Sequence, residues 1–228
     1  MKASRLAQKS ESRNVDKSMI DIRIMAHPKR TDNVLQLLQK LSLPDSAVCW
    51  DDRPSGGDAM YTAKKAWTAD VQREVTHRLV LQDDVEVSNN FPDVVCKAAK
   101  LHPWAVHMFI TFERLDGYAN PSGTPYYAVD SVPGPAIMMP IRLVPRMISY
   151  CDAMKDAAIG KHDDLLISEW CRRNHIKMIA TSPCIVQHIG DVSLLSMSYD
   201  WVRRSQNYDA NGAGDWDNIH VAARWFDG

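Results

Sequence analysis

Several features are scarce or missing in these 228 residues, and each absence removes a class of protein. Charge of one sign is not in excess: 27 Lys and Arg stand against 28 Asp and Glu, a formal net charge of −1. That balance argues against a protein that coats nucleic acid by bulk charge, although a local basic groove stays open. The five cysteines, Cys49, Cys96, Cys151, Cys171 and Cys184, include no C-x-x-C pair, and their number is odd. A zinc knuckle or a disulfide framework is therefore not expected, and a reducing compartment is the simpler setting. All five read as small buried apolar residues, Cys184 being the one near a candidate site. No apolar run approaches a membrane span; the stretch from Ala136 to Val144 is broken by Pro140 and Arg142. Residues 1–19 lack the apolar segment of a secretory signal, so a cytoplasmic location without a membrane is expected. Neither an internal repeat nor a linker is visible, which predicts one domain.

What is present is an ordinary globular composition, 45% hydrophobic and 24% charged, long enough for an α/β domain with a sizeable core. Its most informative stretch is Leu79-Val80-Leu81-Gln82-Asp83-Asp84-Val85-Glu86-Val87. A short apolar run suits a strand buried on both faces, and here it ends in two adjacent carboxylates. In open α/β sheets ligands bind beyond the carboxyl ends of the strands. Two neighbouring anions there repel unless a cation or several donors hold them. A divalent metal carrying a diphosphate would do so, since hard oxygen ligands suit Mg²⁺ or Mn²⁺. An Asp-Asp turn after a strand is the competing reading.

The rest of the chain alternates strand and helix. Residues 1–19 read as a flexible basic arm or a short frayed helix. Ile20 to Ala26 reads as the first strand and His27-Pro28-Lys29-Arg30 as a polar loop at its end. Thr31 or Asp32 is placed to cap a helix over Asn33–Leu41, whose Val34, Leu37, Leu38 and Leu41 share a face. Ala47 to Trp50 is a second strand, followed by Asp51-Asp52-Arg53 and the permissive loop Pro54-Ser55-Gly56-Gly57-Asp58. Helices are expected over 61–73, 91–101, 144–156 and 163–174. Strands are expected over 77–81, 105–112, 135–141, 177–180 and 185–186. Residues 113–129, with three tyrosines, two glycines and two prolines, read as a long loop. Trp67 reads as core. The tail from Asp191 to Gly228 has the glycines and tryptophans of a loop that could close as a lid. The overall expectation is an α/β fold with a mostly parallel central sheet flanked by helices.

The polar clusters fall in an order that carries a resemblance. Met25-Ala26-His27-Pro28-Lys29-Arg30, Thr76 to Asp84, Gly134-Pro135-Ala136-Ile137-Met138-Met139, His162-Asp163-Asp164-Leu165-Leu166 and Gln187-His188-Ile189-Gly190 together resemble the succession in GT-A fold, nucleotide-sugar-dependent glycosyltransferases. The likeness spans roughly residues 20–195 and extends in style to small bacteriophage enzymes of that fold, for which the cytoplasm would be the host's. It implies a single Rossmann-like domain over 20–228. Its acid pair takes an x-D-D form in place of D-x-D, and its base motif carries Asp where many relatives carry Glu.

The resemblance implies roles. Asp84 and His188 would hold the metal, the imidazole favouring Mn²⁺ over Mg²⁺. Asp83 would hold the ribose or a metal-bound water. The donor would lie against Ala26, His27, Arg30, Asp52, Arg53, Gly57, Lys64, Gln82 and Asp83, with the basic side chains toward phosphate. Asp164, with Asp163 second, would be the general base, kept ionised at a helix start. One of that acid pair is also expected to cap its helix. The implied activity is sugar transfer from a nucleotide-diphosphate donor to an acceptor hydroxyl, with inversion. A hydroxymethylated base in phage DNA is one candidate acceptor, beside polysaccharide, lipid-linked sugar and protein. A nucleotidyltransferase is the alternative enzyme, disfavoured because no glycine follows the first strand; a non-catalytic sugar-nucleotide-binding module is the third reading.

Overall fold

A computed structural model describes residues 19–53, 59–110, 124–157, 160, 162–190, 204–205 and 207–222. Ten strands and five α-helices alternate through them: β1 (Ile20–Ala26), α1 (Thr31–Leu41), β2 (Val48–Trp50), α2 (Ala59–Thr68), β3 (His77–Gln82), β4 (Val85–Val87), α3 (Phe91–Leu101), β5 (Val106–Met108), β6 (Tyr126–Val129), β7 (Ala136–Pro140), α4 (Val144–Ala153), α5 (Asp163–Arg173), β8 (Met178–Thr181), β9 (Val186–His188) and β10 (Val221–Ala222). Eight strands form one sheet in the order β10-β6-β8-β5-β7-β3-β1-β2, and β4 pairs with β9 in a second. Within the large sheet β1–β2, β1–β3, β5–β8 and β6–β10 are parallel. The β3–β7, β5–β7 and β6–β8 pairs are antiparallel. The protein is thus α/β with a mostly parallel sheet flanked by helices, as the alternation of apolar runs predicts.

Period-two side-chain alternation splits the core into two layers. Ile24, Leu79, Leu81, Ala136, Met138 and Ile179 pack on one face with α1 and α3. Met25, Val80, Ile137, Met139, Met178 and Ala180 pack on the other with α2, α4 and α5. Both faces are covered, which is why β3 reads as a continuous apolar run. Trp67 is core, as expected, and nearly fully buried. Among the described residues no helix is long and apolar enough to cross a membrane.

Several boundaries differ from expectation, each for a local reason. Helix α2 ends at Thr68, not Arg73, because Arg78 Nη1 takes the carbonyl of Trp67 at 2.6 Å and Arg23 Nη2 that of Asp70 at 2.7 Å. Helix α1 starts at Thr31 behind Arg30, which makes no side-chain cap; Thr31 Oγ1 donates instead to the Pro28 carbonyl at 2.8 Å. Helix α4 stops at Ala153, where the Met154 amide folds back onto the carbonyls of Tyr150 and Cys151. Strand β5 is shorter than expected because the Phe109 carbonyl leaves the sheet to accept from Ile185 and Val186, both at 3.1 Å. Tyr126–Val129, assigned to the long loop, is strand β6. Strand β10 was not expected. The five cysteines are free, Cys49 and Cys96 half-buried and the others buried. The 1–18 part of the arm, residues 54–58, most of the 113–129 loop and 191–203 of the tail lie outside the described residues.

Candidate active site

The site grows from the register of β1 on β3. Met25 pairs with Gln82, so the chain leaving β1 at His27 runs beside the chain leaving β3 at Asp83. His27 donates its backbone N–H to Asp83 Oδ2 at 2.6 Å. Pro28, Lys29 and Arg30 then make a single 3₁₀ turn, closed by Arg30 N–H on the His27 carbonyl at 2.9 Å. That turn aims Arg30 back at both acids: Nη1 lies 2.8 Å from Asp83 Oδ1 and 2.7 Å from Asp84 Oδ2.

Asp84 meets the late histidine through the small sheet. Val85 pairs with His188, and the Ile189 amide donates to the Asp84 carbonyl at 2.8 Å. His188 Nε2 thereby sits 3.1 Å from Asp84 Oδ2. Gly190 closes this wall: a Cβ there would lie 2.9 Å from Asp84 Oδ2, 3.0 Å from Asp84 Cβ and 3.3 Å from Arg30 Nη2. Asp84 Oδ1 is buried with no hydrogen-bond partner among the described residues.

The two acids are held unequally. Burial raises the pKa of Asp83, and the His27 amide and Arg30 pull it back only part of the way. Burial also pushes Asp84 up, but the hydrogen bond and field of His188, with the charge of Arg30, prevail and hold it below the usual carboxylate range.

Helix α5 brings the third acid. His162 occupies its N-cap position without a side-chain cap, and Asp163 and Asp164 both lie in its first turn, so neither is the cap the sequence suggested. Asp163 is buried; Asp164 is half-buried, and its Oδ1 accepts the Leu165 amide at 2.8 Å. Ser168 ties the helix to the connection between β6 and β7, donating to the Asp164 carbonyl at 2.7 Å and accepting from Val132 N–H at 2.9 Å. A Cβ on Gly134 would lie 2.7 Å from Gln82 Nε2 and 3.5 Å from Asp164 Oδ2. Gly134 therefore separates Gln82, at the end of β3, from Asp164 by one backbone thickness.

The end of β2 adds a neighbouring cluster. The Ala26 carbonyl accepts the Asp51 amide at 2.7 Å, joining β1 to this segment. Asp51 is paired with Arg53 at 2.9 Å, whose side-chain hydrogen bond lowers its pKa. Arg53 lies over the Tyr61 ring, 4.1 Å from its centroid. Asp52 is exposed and accepts from Tyr61 Oη at 2.9 Å and Lys65 Nζ at 3.1 Å. Tyr61 and Lys65 were not anticipated as site neighbours; their helical spacing gave no hint of the shared contact with Asp52.

Of the residues singled out from sequence, Ala26, His27, Arg30, Gln82, Asp83, Asp84, Asp164 and His188 converge. Asp52 and Arg53 form the flanking cluster. Lys64 goes elsewhere, to Asp152 on α4 at 2.6 Å. Gly57 lies outside the described residues. Gly190, and the spacing role of Gly134, were missed, because close backbone approach leaves no trace in a single sequence.

Among the described residues no group of three or more His, Cys, Asp or Glu is arranged to hold a metal ion. Asp84 and His188 nonetheless suit a divalent cation of the kind that takes few protein ligands and completes its shell with water and substrate phosphate. The buried, unpartnered Asp84 Oδ1 is a donor of the right chemistry for it. No protein-family model matches the chain, and no curated protein matches it.

Proposed function

We propose that the protein is a glycosyltransferase that moves a sugar from a nucleotide-diphosphate donor to an acceptor hydroxyl with inversion. One observation carries this reading: Gln82, the residue that leads into an arginine-held carboxylate pair at the end of β3, faces a helix-start carboxylate across a single glycine. The pair and Arg30 form the end that handles a diphosphate; Asp164 forms the end that handles a hydroxyl. The donor lies with its phosphates toward Arg30 and its nucleoside toward the Asp51–Arg53 segment. A divalent metal held by Asp84 and His188 would supply charge stabilisation for the departing diphosphate.

The acceptor oxygen attacks the anomeric carbon from the side opposite the diphosphate. As the new O–C bond forms, the hydroxyl proton passes to Asp164 and the old C–O bond breaks, its electron pair leaving on the nucleoside diphosphate. The Leu165 amide on Asp164 Oδ1 and the α5 dipole favour the ionised base before attack. A hydroxymethylated base in DNA is the acceptor we favour among hydroxyl-bearing polymers, in keeping with the bacteriophage-like sequence style.

The test is a thermal-shift screen with UDP-, GDP- and dTDP-sugars, each with and without Mn²⁺, and a CMP-sugar as the control without a diphosphate. A ligand that binds only the native state raises the melting temperature. The expected result is a shift that needs one nucleotide-diphosphate sugar and the metal together. No shift with any donor would overturn the transferase reading.

A further inference from the structure

The Arg30 guanidinium stands on the anionic pair where an added cation would be expected. Its Nη1 bridges Asp83 Oδ1 and Asp84 Oδ2 at 2.8 and 2.7 Å. A metal approaching Asp84 would therefore meet a site whose negative charge is already partly offset by one guanidinium. The arginine is also more open to solvent than its counterpart at the other end of these strands. Its side chain is 17% exposed, whereas Arg78, in the other arginine–aspartate cluster of the same two strands, is 2% exposed and pinned by two backbone carbonyls. Arg30 sits on one 3₁₀ turn at the surface of the site, not within a strand.

We propose that Arg30 is an exchangeable counter-ion that couples metal binding to donor binding. This rests on the donor reading above. Without donor, the guanidinium partly offsets the charge of Asp83 and Asp84 and competes with a divalent cation for them. When a metal–diphosphate enters together, the cation takes over the carboxylates and the guanidinium turns to the phosphate oxygens. An arginine fork suits both partners, since carboxylate and phosphate offer the same paired oxygen acceptors. Metal alone then binds weakly, donor alone binds weakly, and the two bind cooperatively.

The sign of the coupling gives a test that a merely structural arginine would not pass. Mn²⁺ is titrated into wild-type and Arg30→Gln protein, each without nucleotide, by calorimetry and by the metal's own spin-resonance signal. The UDP-, GDP- or dTDP-sugar selected by the thermal-shift screen is then titrated with Mn²⁺ saturating. Loss of Arg30 is expected to tighten Mn²⁺ alone by 10-fold or more and to weaken the donor by 10-fold or more. Mn²⁺ affinity that is unchanged or weaker in the variant would overturn the proposal. If Arg30→Gln does not fold without metal, Arg30→Lys keeps the charge but loses the fork, and its Mn²⁺ affinity is expected to rise by a smaller factor. No rise in that variant would overturn the proposal equally. The nucleotide-free titration decides the role of Arg30 even if no sugar nucleotide binds; the donor titration of wild-type protein decides the transferase reading.

Discussion

Strands β1 and β3 carry an arginine–aspartate cluster at each end, and the two clusters are built on opposite ratios. At the amino ends two guanidiniums share one carboxylate: Arg23 and Arg78 reach Asp21 at 3.0 and 2.7 Å. Their surplus donors go to backbone carbonyls, those of Ser46, Trp67 and Asp70. At the carboxyl ends two carboxylates share one guanidinium and an imidazole, and one oxygen, Asp84 Oδ1, is left buried with no hydrogen-bond partner among the described residues. Surplus cations are easily satisfied inside a fold because every peptide offers a carbonyl, and a helix C-terminus offers several. Surplus anions are harder to satisfy and tend to wait for a ligand. The first cluster therefore holds the structure together, and the second is shaped to receive something.

The largest effect should come from the saturated end. Replacing Arg78 with Met leaves the Trp67 carbonyl and part of Asp21 unanswered in a buried site, while Arg23 still serves the Asp70 carbonyl. We expect a loss of about 4 kcal/mol in unfolding free energy, as when one partner of a buried ion pair is removed. Urea denaturation measures it, and ligand binding by the folded fraction should not change. A loss below about 1 kcal/mol would make this end no more structural than a surface pair.

Acid should act on the same end. His77 precedes Arg78 and is buried; desolvation, aided by the charge of Arg142, lowers its pKa from 6.5 to about 4. The unfolded chain takes up this proton near pH 6.5 and the folded chain near pH 4, so the unfolded state binds more protons in between. Stability is full above pH 6.5 and falls as the pH drops toward 4, by about 3 kcal/mol for this histidine. His107, fully buried and lowered to about 3, adds its own loss below pH 6.5 and extends the fall toward pH 3. Chemical denaturation at pH 7 and pH 4 should show His77→Gln losing less than wild-type protein. Equal losses would place the acid sensitivity elsewhere.

The receiving end should respond in binding instead of folding. Asp84→Asn removes the charge but keeps the shape and the hydrogen-bonding capacity toward His188. We expect metal-dependent donor affinity to fall at least 100-fold, about 2.7 kcal/mol, and the ligand-free protein to lose less stability than the Arg78 variant. Unaltered donor affinity would remove the metal role assigned to Asp84.

The two ends were not equally legible in the sequence. Leu79-Val80-Leu81 announced a doubly buried strand, and Asp83-Asp84 announced an anionic edge, because both signals are local. His27, Arg30, His188 and Asp164 could be nominated by their positions after strands or before a helix. Their mutual contacts could not, since these depend on the β1–β3 register and on the β4–β9 pair, which links residues about a hundred positions apart. Arg78 was passed over as an ordinary member of an apolar strand. Beside Asp21, its partners are backbone carbonyls, which every residue carries and no sequence marks. Lys64 misled for the converse reason: its charge suggested phosphate, while its place on α2 turns it to Asp152.

The smallest effect is the sharpest probe of how tightly the receiving end is built. Gly190 and Gly134 each hold a strip of bare backbone against the site, but against different neighbours. A methyl group on Gly134 would press on Gln82 Nε2 at 2.7 Å, the far end of a flexible side chain that can swing aside. A methyl group on Gly190 would press at once on Asp84 Oδ2 and Cβ, at 2.9 and 3.0 Å, with Arg30 Nη2 behind them at 3.3 Å. A Cβ atom cannot rotate away, so relief requires the Asp84 backbone or the whole late loop to shift. Donor affinity in Gly190→Ala should therefore fall about 10-fold, near 1.4 kcal/mol, while Gly134→Ala stays within about 2-fold of wild-type protein. Calorimetric titration of the two variants with the same sugar nucleotide and Mn²⁺ separates them. Equal losses would mean that Gln82 is as fixed as Asp84, and that the carboxyl end of β3 is rigid on both sides instead of rigid toward the metal and yielding toward the acceptor.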